Sequence, residues 1–490
     1  MTAFPTFAEV KRVHIVGVCG TLMGAFAAFL KRRGIEVTGS DENVYPPMSD
    51  VLKQAGVSIF SGYRAENLTG LPQRPDLVVI GNVITRANLE AQAAMTGGYA
   101  YCSLPEFMER LLLPTTRNLV VAGTHGKTTT SSLLAHVLNH AGQNPAYFIG
   151  GVSPDIPQSF HVPRLDSGTP FVLEGDEYDT AFWDKVPKFN HYLPNDVILT
   201  SVEFDHADIY RDLAHVMEAF RGLLARIRAG GRLIVCTDYA TNQELLQQAQ
   251  VPVVTYGARA PARFRPEQVV VEGGRTSFAI MDYGDHGERD TGPAKRVADI
   301  SLQLPGEHNV LNALAVWIQA TTLGLASDIV AKGLASFRGV KRRQEERGEV
   351  KGVLVVDDFA HHPTAVKVTL QALRAKYPQR RLVSVFEPRS ATSRRKIFQR
   401  DYVDAFLGSD SVFIAAPFNQ EKIASDDRFS SEELVRDIAA RGVSARIFST
   451  VEAGVEDVAH DARPGDLVAV LSNGGFGGFI PKLLAALQAR

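Results

Sequence analysis

The segment Asn118-Leu-Val-Val-Ala-Gly-Thr-His-Gly-Lys-Thr-Thr-Thr130 constrains the fold of this chain more than any other. Leu119 to Ala122 is a short, largely β-branched run suited to a buried strand, and from Thr129 to Ala141 apolar side chains recur at helical spacing. The turn between them is a strand-to-helix junction. Backbone N–H groups at such a helix N-terminus point at an anion, and Gly123 and Gly126 let the backbone approach it. Lys127 is placed to reach the outer phosphates of a nucleotide, and Thr128 to ligate Mg²⁺. The full phosphate-loop pattern is incomplete, because Val121 stands where its first glycine belongs. A glycine turn with a snorkelling lysine is the bland alternative. The order of strand, Gly-Thr-x-Gly-Lys-Thr and helix favours the phosphate cradle, and hence an enzyme that hydrolyses or transfers from a nucleotide.

With 490 residues the chain exceeds one core and suggests about three domains. A formal net charge of −2 leaves no electrostatic footprint for nucleic acid or an anionic membrane, so neither is an expected partner. Cys19, Cys102 and Cys236 are odd in number and widely spaced, which suggests neither a disulfide framework nor a zinc cluster; a reducing cytoplasm fits best. Val13 to Leu30, preceded by Lys11 and Arg12, could pass for a signal peptide or a membrane span. Gly17, Gly20 and Gly24 interrupt it, and Lys31-Arg32-Arg33-Gly34 ends it like a helix C-terminus.

That first unit reads as strand, glycine turn and helix, followed by a second strand, Glu36-Val-Thr-Gly-Ser-Asp41, that ends in an acid. In βαβ units the glycine turn holds a diphosphate on a helix N-terminus, and the acid meets a ribose or a neighbouring polar group. Alternating α/β patterning continues through Leu77-Val-Val-Ile80 to about Leu113, with Pro114 beginning a linker. A central part from the phosphate loop to about residue 338 offers strands Phe171–Leu173, Asp196–Leu199 and Leu233–Cys236. A polar stretch from Ala258 to Arg296 follows, read as exposed strands and loops without chemistry, and then a helical pattern from Val310 to Leu323. A third unit from about Val340 offers strands Gly352–Val356, Leu382–Val385, Ser411–Ile414 and Asp466–Leu471. The expected domains are 1–113, 114–338 and 339–490, each α/β with a largely parallel sheet.

Beyond the phosphate loop, two candidate strands end in cation-binding groups: Glu174 directly after Leu173, and His206 in Ser201-Val-Glu-Phe-Asp-His206. Ligands at the carboxyl ends of parallel strands converge on the nucleotide crevice. Glu174 suits Mg²⁺, His206 less so, and each could instead be ordinary solvated surface. His308, Asn309 and Asn312 in Pro305-Gly-Glu-His-Asn-Val-Leu-Asn-Ala313 are dense in polar groups, although Asn309 could be a plain helix N-cap. Val340-Lys-Arg-Arg-Gln344 and Val355-Val-Asp-Asp-Phe-Ala-His-His-Pro-Thr364 bring paired arginines, aspartates and histidines to the third unit's first strand. Arginine suits a transferring phosphoryl group.

In this order, Gly123-Thr-His-Gly-Lys-Thr-Thr129, Glu174, Asp205-His206, Gly306 to Ala313, Arg343 and Asp357-Asp-Phe-Ala-His-His-Pro363 closely resemble the signatures of the Mur ligases, ATP-dependent amide-forming enzymes of bacterial peptidoglycan. The resemblance spans essentially the whole chain. It implies a three-domain architecture: a Rossmann-like N-terminal domain for a UDP-sugar, a central P-loop ATPase domain, and a Rossmann-like C-terminal domain for the incoming amine. By the same resemblance Gly123, Thr124, His125, Gly126, Lys127, Thr128 and Thr129 cradle ATP. Thr128 and Glu174 take Mg²⁺, and His206 a second Mg²⁺. His308 and Asn309, with Asn312 beside them, contact adenine, and Arg343 and Asp358 close on ATP. Gly17, Cys19, Gly20, Thr21, Ser40 and Asp41 are expected at the UDP-sugar. Several family members carry a carbamylated lysine after the histidine, yet no lysine lies between His206 and Arg228 here, as in the family's UDP-N-acetylmuramate branch.

Within that branch one activity adds L-alanine and another adds the recovered tripeptide L-alanyl-γ-D-glutamyl-meso-diaminopimelate. Asn43-Val-Tyr-Pro-Pro-Met-Ser49, Phe386-Glu-Pro-Arg-Ser390 and Ser472-Asn-Gly-Gly-Phe-Gly-Gly478 resemble the tripeptide-adding enzymes, which is the expectation for this chain. Arg389, Arg394, Asn473 and Gly474 are then candidates for the peptide's carboxylates, with Arg394 alternatively a solvated helix face. The implied chemistry is phosphorylation of the lactyl carboxylate followed by attack of the alanyl amine. Rival classes fare worse: an NAD-dependent oxidoreductase leaves the ATP loop unexplained, and a non-catalytic nucleotide-binding regulator has no need of Lys127 or Glu174. Oligomeric state is not written in these motifs.

Overall fold

The computed structural model describes residues 4–45, 48–284, 294–421 and 423–490. Three sheets follow one another along the chain. The first holds β1 (Arg12–Val16), β2 (Glu36–Asp41), β3 (Ser58–Ser61), β4 (Leu77–Ile80) and β5 (Tyr101–Cys102), all parallel, in the order β3-β2-β1-β4-β5. The order reverses at β1, and a sheet of this kind leaves a crevice beyond the carboxyl end of that strand. The glycine turn of residues 17–20 sits there and leads into helix Thr21–Arg32.

The second sheet has ten strands: β6 (Arg117–Ala122), β7 (Ala146–Phe148), β8 (Phe160–His161), β9 (Pro170–Gly175), β10 (Asp196–Leu199), β11 (Arg232–Cys236), β12 (Val253–Tyr256), β13 (Phe264–Glu272), β14 (Arg275–Asp282) and β15 (Lys295–Leu302). Its parallel core runs β12-β11-β10-β6-β9-β7, so β6 is flanked by β9 on one side and β10 on the other. Buried on both faces, β6, β9, β10 and β11 are near-continuous apolar runs, which is why they were legible, whereas β7 and β12 were not singled out. The polar stretch 258–296 instead contains the antiparallel meander β13-β14-β15, which extends this sheet; part of the stretch, residues 285–293, lies outside the described residues. A register shift between Glu267 and Val270 breaks the period-2 alternation that would have marked β13.

The third sheet runs β16-β17-β21-β18-β19-β20, with β16 (Glu345–Val350) antiparallel to β17 (Val353–Asp358) and the rest parallel: β18 (Arg381–Phe386), β19 (Ser411–Ala415), β20 (Ser444–Phe448) and β21 (Asp466–Leu471).

The first two sheets share one apolar core. Phe160 packs against Phe26 at 5.6 Å, Phe29 at 5.1 Å and Phe148 at 5.5 Å between ring centroids, and Phe26 meets Phe107 at 4.8 Å. Truncating such a buried ring costs about 3–5 kcal/mol, so these two units are held as one body. The third unit has cores of its own and meets the second through polar contacts and the Phe204–Phe398 ring pair, at 6.3 Å between centroids. Thr392 Oγ1 donates to Asp205 Oδ1 at 2.7 Å, Ala207 N–H donates to Thr392 Oγ1 at 3.2 Å, and Lys341 N–H donates to Val152 C=O at 2.8 Å. Among the described residues no helix is long and apolar enough to cross a membrane.

Candidate active site

Two helix N-termini at the crevice between the units have neither a side-chain cap nor an acidic first turn. Helix Lys127–His140 begins after Gly126 and helix Thr21–Arg32 after Gly20. Elsewhere Asn88, Ser103, Asp212, Ser430 and Thr450 cap their helices with side-chain acceptors. The orphan N–H groups and positive dipole ends at the crevice are therefore open to an anion. Two glycines make this geometry possible. Gly123 has φ +134° and a Cβ there would lie 2.2 Å from Thr200 Oγ1; Gly126 has φ +81° and a Cβ would lie 2.8 Å from Asn312 Oδ1.

The helix beyond the loop starts two residues earlier than its apolar period indicated, at Lys127. Lys127 Nζ donates to Gly123 C=O at 2.6 Å and lies 2.8 Å from Glu177 Oε2. Burial pushes the ammonium's pKa down, but Glu177, with Asp176 and Glu174 behind it, outweighs burial and holds the pKa above its ordinary value, so the lysine stays charged. Glu177 in turn lies 3.2 Å from His206 Nε2. Burial would raise the Glu177 pKa; the Lys127 charge and His206 hold it below the ordinary carboxylate range. His206, against its own burial, is shifted upward by Glu177 and Asp205. A separate pair stands beside this triad: Thr128 Oγ1 donates to Glu174 Oε1 at 2.5 Å, and Gly150 N–H donates to Glu174 Oε2 at 2.7 Å. Both are hard oxygen donors of the kind Mg²⁺ prefers.

Across the crevice, of about 1130 Å³, stand residues of helix Glu307–Thr322 and of the third unit. His308 is half-buried, and loss of solvation at its ring, with the Arg343 and His125 charges, pushes its pKa down to about 4; its Nδ1 has no partner. Asn309 is not the N-cap, a place taken by Gly306. Its amide donates to Pro305 C=O at 2.7 Å and its Oδ1 accepts from Asn312 Nδ2 at 3.2 Å, which braces Asn312 against the phosphate loop. The Arg343 guanidinium lies 5.0 Å from the Phe359 ring centroid and lines the crevice. Asp358, raised in pKa by burial, accepts from Gln344 N–H at 2.8 Å and Ala360 N–H at 2.7 Å, so its carboxylate folds the turn that carries Arg343.

In the first unit, Thr21 reaches the same crevice. Gly17, at φ +85°, donates its N–H to Ser40 C=O, and Cys19 N–H donates to Asp41 Oδ2 at 2.8 Å, with Asn43 N–H on Oδ1. Asp41 thus holds the glycine turn, the neighbouring-polar-group half of the expectation. Ser40 departs from it: fully buried, it donates to Glu90 Oε1 at 2.8 Å, inside a network with His14 and Asn67. In the third unit Arg389 stacks 4.0 Å from the Phe418 ring centroid, abuts Gly474, and lies near Asn473, whose Oδ1 is buried without a partner. Arg394 does not join them. Its guanidinium donates to the carbonyls of Ser390 and Asn419, and it lies in a turn rather than on a helix face. Of the segment 43–49, Pro46 and Pro47 lie outside the described residues.

Sequence reasoning gave no role of their own to Glu177, to Asp205, which it quoted only as part of the Asp205-His206 signature, or to Arg342, which it quoted only as one of the paired arginines. Glu177 sits in the acidic run after β9, one residue too far from the strand end to be singled out. Asp205, held well below the carboxylate range against burial by His361 and His206, accepts from Thr392 of the third unit. Arg342 donates to Ser472 C=O and Gly474 C=O, both at 2.6 Å, and so fixes the glycine loop.

Three family models match consecutive parts of the chain: Mur ligase family, catalytic domain, at residues 12–115; Mur ligase middle domain at 121–320; and Mur ligase, glutamate ligase domain, at 342–474. A UDP-N-acetylmuramate–L-alanyl-γ-D-glutamyl-meso-2,6-diaminoheptandioate ligase of Escherichia coli is 38% identical over 481 residues, 98% of this chain and 99% of that one. A UDP-N-acetylmuramate–L-alanine ligase of Oleidesulfovibrio alaskensis is 35% identical over 469 residues, covering 95% and 96%. The crystal structure of a murein peptide ligase from Psychrobacter arcticus superposes with a TM-score of 0.69 at 31% identity, covering 98% of this chain and 99% of that one.

Proposed function

The chain belongs to the Mur ligase family, and from that membership we propose that it joins UDP-N-acetylmuramate to L-alanyl-γ-D-glutamyl-meso-diaminopimelate at the expense of ATP, in the cytoplasmic recycling of peptidoglycan. The observation that carries the reading is the Lys127–Glu177–His206 triad beside the Thr128–Glu174 pair, at the carboxyl ends of β6, β9 and β10, with Arg343 facing them. Full-length similarity to a tripeptide ligase and to a murein peptide ligase structure supports the choice of amine. The division into units at 113/114 and 338/339 belongs to the same proposal and is supported by the breaks between the three sheets.

A carboxylate is a poor electrophile because its leaving group would be oxide. Transfer of the γ-phosphoryl group to the lactyl carboxylate gives an acyl phosphate, from which the tripeptide's amine expels phosphate. The protein's work is positioning and charge stabilisation. Lys127, kept cationic by Glu177, and the uncapped N–H groups of residues 126–129 hold the phosphates. Thr128 Oγ1 and Glu174 are the donors that fit Mg²⁺, with His206 at a second ion; Mg²⁺, when bound, offsets phosphate charge. His308, neutral at physiological pH, and Asn309 face the base, with Asn312 bracing the loop beneath; Arg343 approaches the phosphates from the third unit, on the turn Asp358 folds. Thr21 and the glycine turn receive the UDP-sugar diphosphate. Arg389, Asn473 and Gly474 receive peptide carboxylate.

The test is incubation with ATP, Mg²⁺ and UDP-N-acetylmuramate, with either L-alanine or the tripeptide, following phosphate release and product mass. Product with tripeptide alone is expected; product with L-alanine alone would assign the activity named for the 35% identical relative instead.

A further inference from the structure

Apart from those pairs, one compact set of metal-type donors stands out among the described residues. His125 Nε2, Glu203 Oε2 and a ring nitrogen of His362 lie within 4.8 Å of one another. His125 Nε2 is 2.7 Å from Glu203 Oε2, His362 Nδ1 is 3.7 Å from the same oxygen, and the two imidazole centroids are 4.8 Å apart. In a tetrahedral site with bonds of about 2.0–2.2 Å, donor atoms stand about 3.4 Å apart, a value the two present separations bracket.

The tautomer of His362 is set by its surroundings. Its Nε2 faces Phe204 C=O at 3.2 Å, and a carbonyl can only accept, so Nε2 carries the hydrogen and Nδ1 the lone pair. The nearest donor to that lone pair is Thr364 N–H at 3.3 Å, at the long end of hydrogen bonding. An imidazole that donates one N–H to a backbone carbonyl and turns its other nitrogen to a carboxylate is arranged as metal-bound histidines are. Burial, with the His125 charge, pushes the His362 pKa down to about 4, so the ring is neutral and able to ligate at physiological pH. Glu203 is held below the ordinary carboxylate range, since its hydrogen bond to His125 outweighs the upward push of burial.

We propose that His125, Glu203 and His362 form a binding site for a first-row transition-metal cation of the Zn²⁺ type, bridging the phosphate loop and the third unit. Two imidazoles and one carboxylate suit Zn²⁺, Co²⁺ or Ni²⁺, whereas Mg²⁺ takes oxygen. Three protein ligands leave a fourth position for water. Because His125 lies inside the phosphate loop and His362 stands at the N-terminus of helix Pro363–Lys376, an ion here, taking the place of the long Thr364 N–H contact on Nδ1, ties the loop to the third unit. The site is distinct from Thr128, Glu174 and His206, and its existence does not depend on the ligase reading.

The experiment titrates metal-free, nucleotide-free full-length protein with Co²⁺ in excess Mg²⁺ and reads visible d–d absorption. One equivalent should bind with the intense absorption of a four-coordinate site, and Zn²⁺ should displace it. Glu203→Gln and His362→Asn, in different units, should each weaken Co²⁺ binding by at least about tenfold, while His206→Asn retains it. No four-coordinate absorption in the unsubstituted protein would overturn the proposal. So would absorption that survives both substitutions and disappears in His206→Asn.

Discussion

Glu177→Gln takes one negative charge out of a place where Lys127 and His206 both rely on it, at 2.8 Å and 3.2 Å. The Glu177 side chain is 3% exposed and that of Lys127 13%, so solvent screening does little to reduce the loss. Removing one partner of a buried ion pair costs about 3–5 kcal/mol, and because Gln keeps the shape and one acceptor, the expected cost is about 3 kcal/mol. For a body of roughly 340 residues, the first two units on their shared core, this lowers the midpoint of thermal unfolding by about 4 °C. That body's transition is the one to follow, since a chain of several domains does not unfold in a single step. The pH dependence has a definite sign. The raised His206 contributes fully below its unfolded value of about 6.5 and loses that contribution as pH rises through its folded pKa. The depressed Glu177 contributes above its unfolded value of about 4.3 and loses that contribution as pH falls through its folded pKa. The difference between parent and variant is therefore largest from about pH 4.5 to about pH 6.5 and shrinks above that window. Without its counter-ion, Lys127 also holds its proton less firmly, and KM for ATP should rise at least about tenfold, or about 1.4 kcal/mol. A midpoint change below about 1 °C, or a difference that grows from about pH 6 to about pH 9, would refute the reasoning.

Gly126→Ala places a Cβ against Asn312 at φ +81°, and should weaken ATP binding by at least about tenfold in calorimetry; Gly142→Ala, at φ +74° with open space around it, should cost about 1 kcal/mol of stability and leave ATP affinity intact. His308 should titrate at about 4 when its ring nitrogens are followed by NMR in the unliganded protein; an imidazolium at about pH 6 would contradict its placement beside Arg343 with Nδ1 unpartnered. Arg389→Ala should raise KM for the tripeptide more than Arg394→Ala does, because Arg389, though paired with Glu387 at 3.2 Å, abuts the glycine loop at Gly474, whereas the Arg394 guanidinium is turned to the Asn419 and Ser390 carbonyls; equal effects in steady-state kinetics would return Arg394 to the peptide site.

The strands and helices that position the site were legible because their physics is local. The run Leu119–Ala122 is apolar because β6 is buried on both faces, and Gly123 and Gly126 occur where positive φ and close backbone contact leave no room for a side chain. The glycine turn after β1 and the acid closing β2 are equally local, although the Cys19–Asp41 hydrogen bond, 22 residues apart, is not. The meander β13-β14-β15 was less legible, since its strands are half exposed and bulged.

What only tertiary structure decided is which charges meet. Glu177 is 50 residues from Lys127 along the chain, and their pairing arises because β9 lies beside β6 and delivers the loop after it to the helix N-terminus. Asn309 reads as a cap until Gly306 takes that place, and Arg394 reads as a free cation until the chain folds back to offer it carbonyls. Ser40, next in sequence to the Asp41 that holds the glycine turn, turns the other way because successive side chains on a strand face opposite sides and its own faces Glu90. Backbone propensity and hydrophobic period, which act over a few residues, determined the elements and the phosphate loop from sequence alone; counter-ions, hydrogen-bond partners and pKa shifts are sums over neighbours that only the packed sheets bring within a few ångströms.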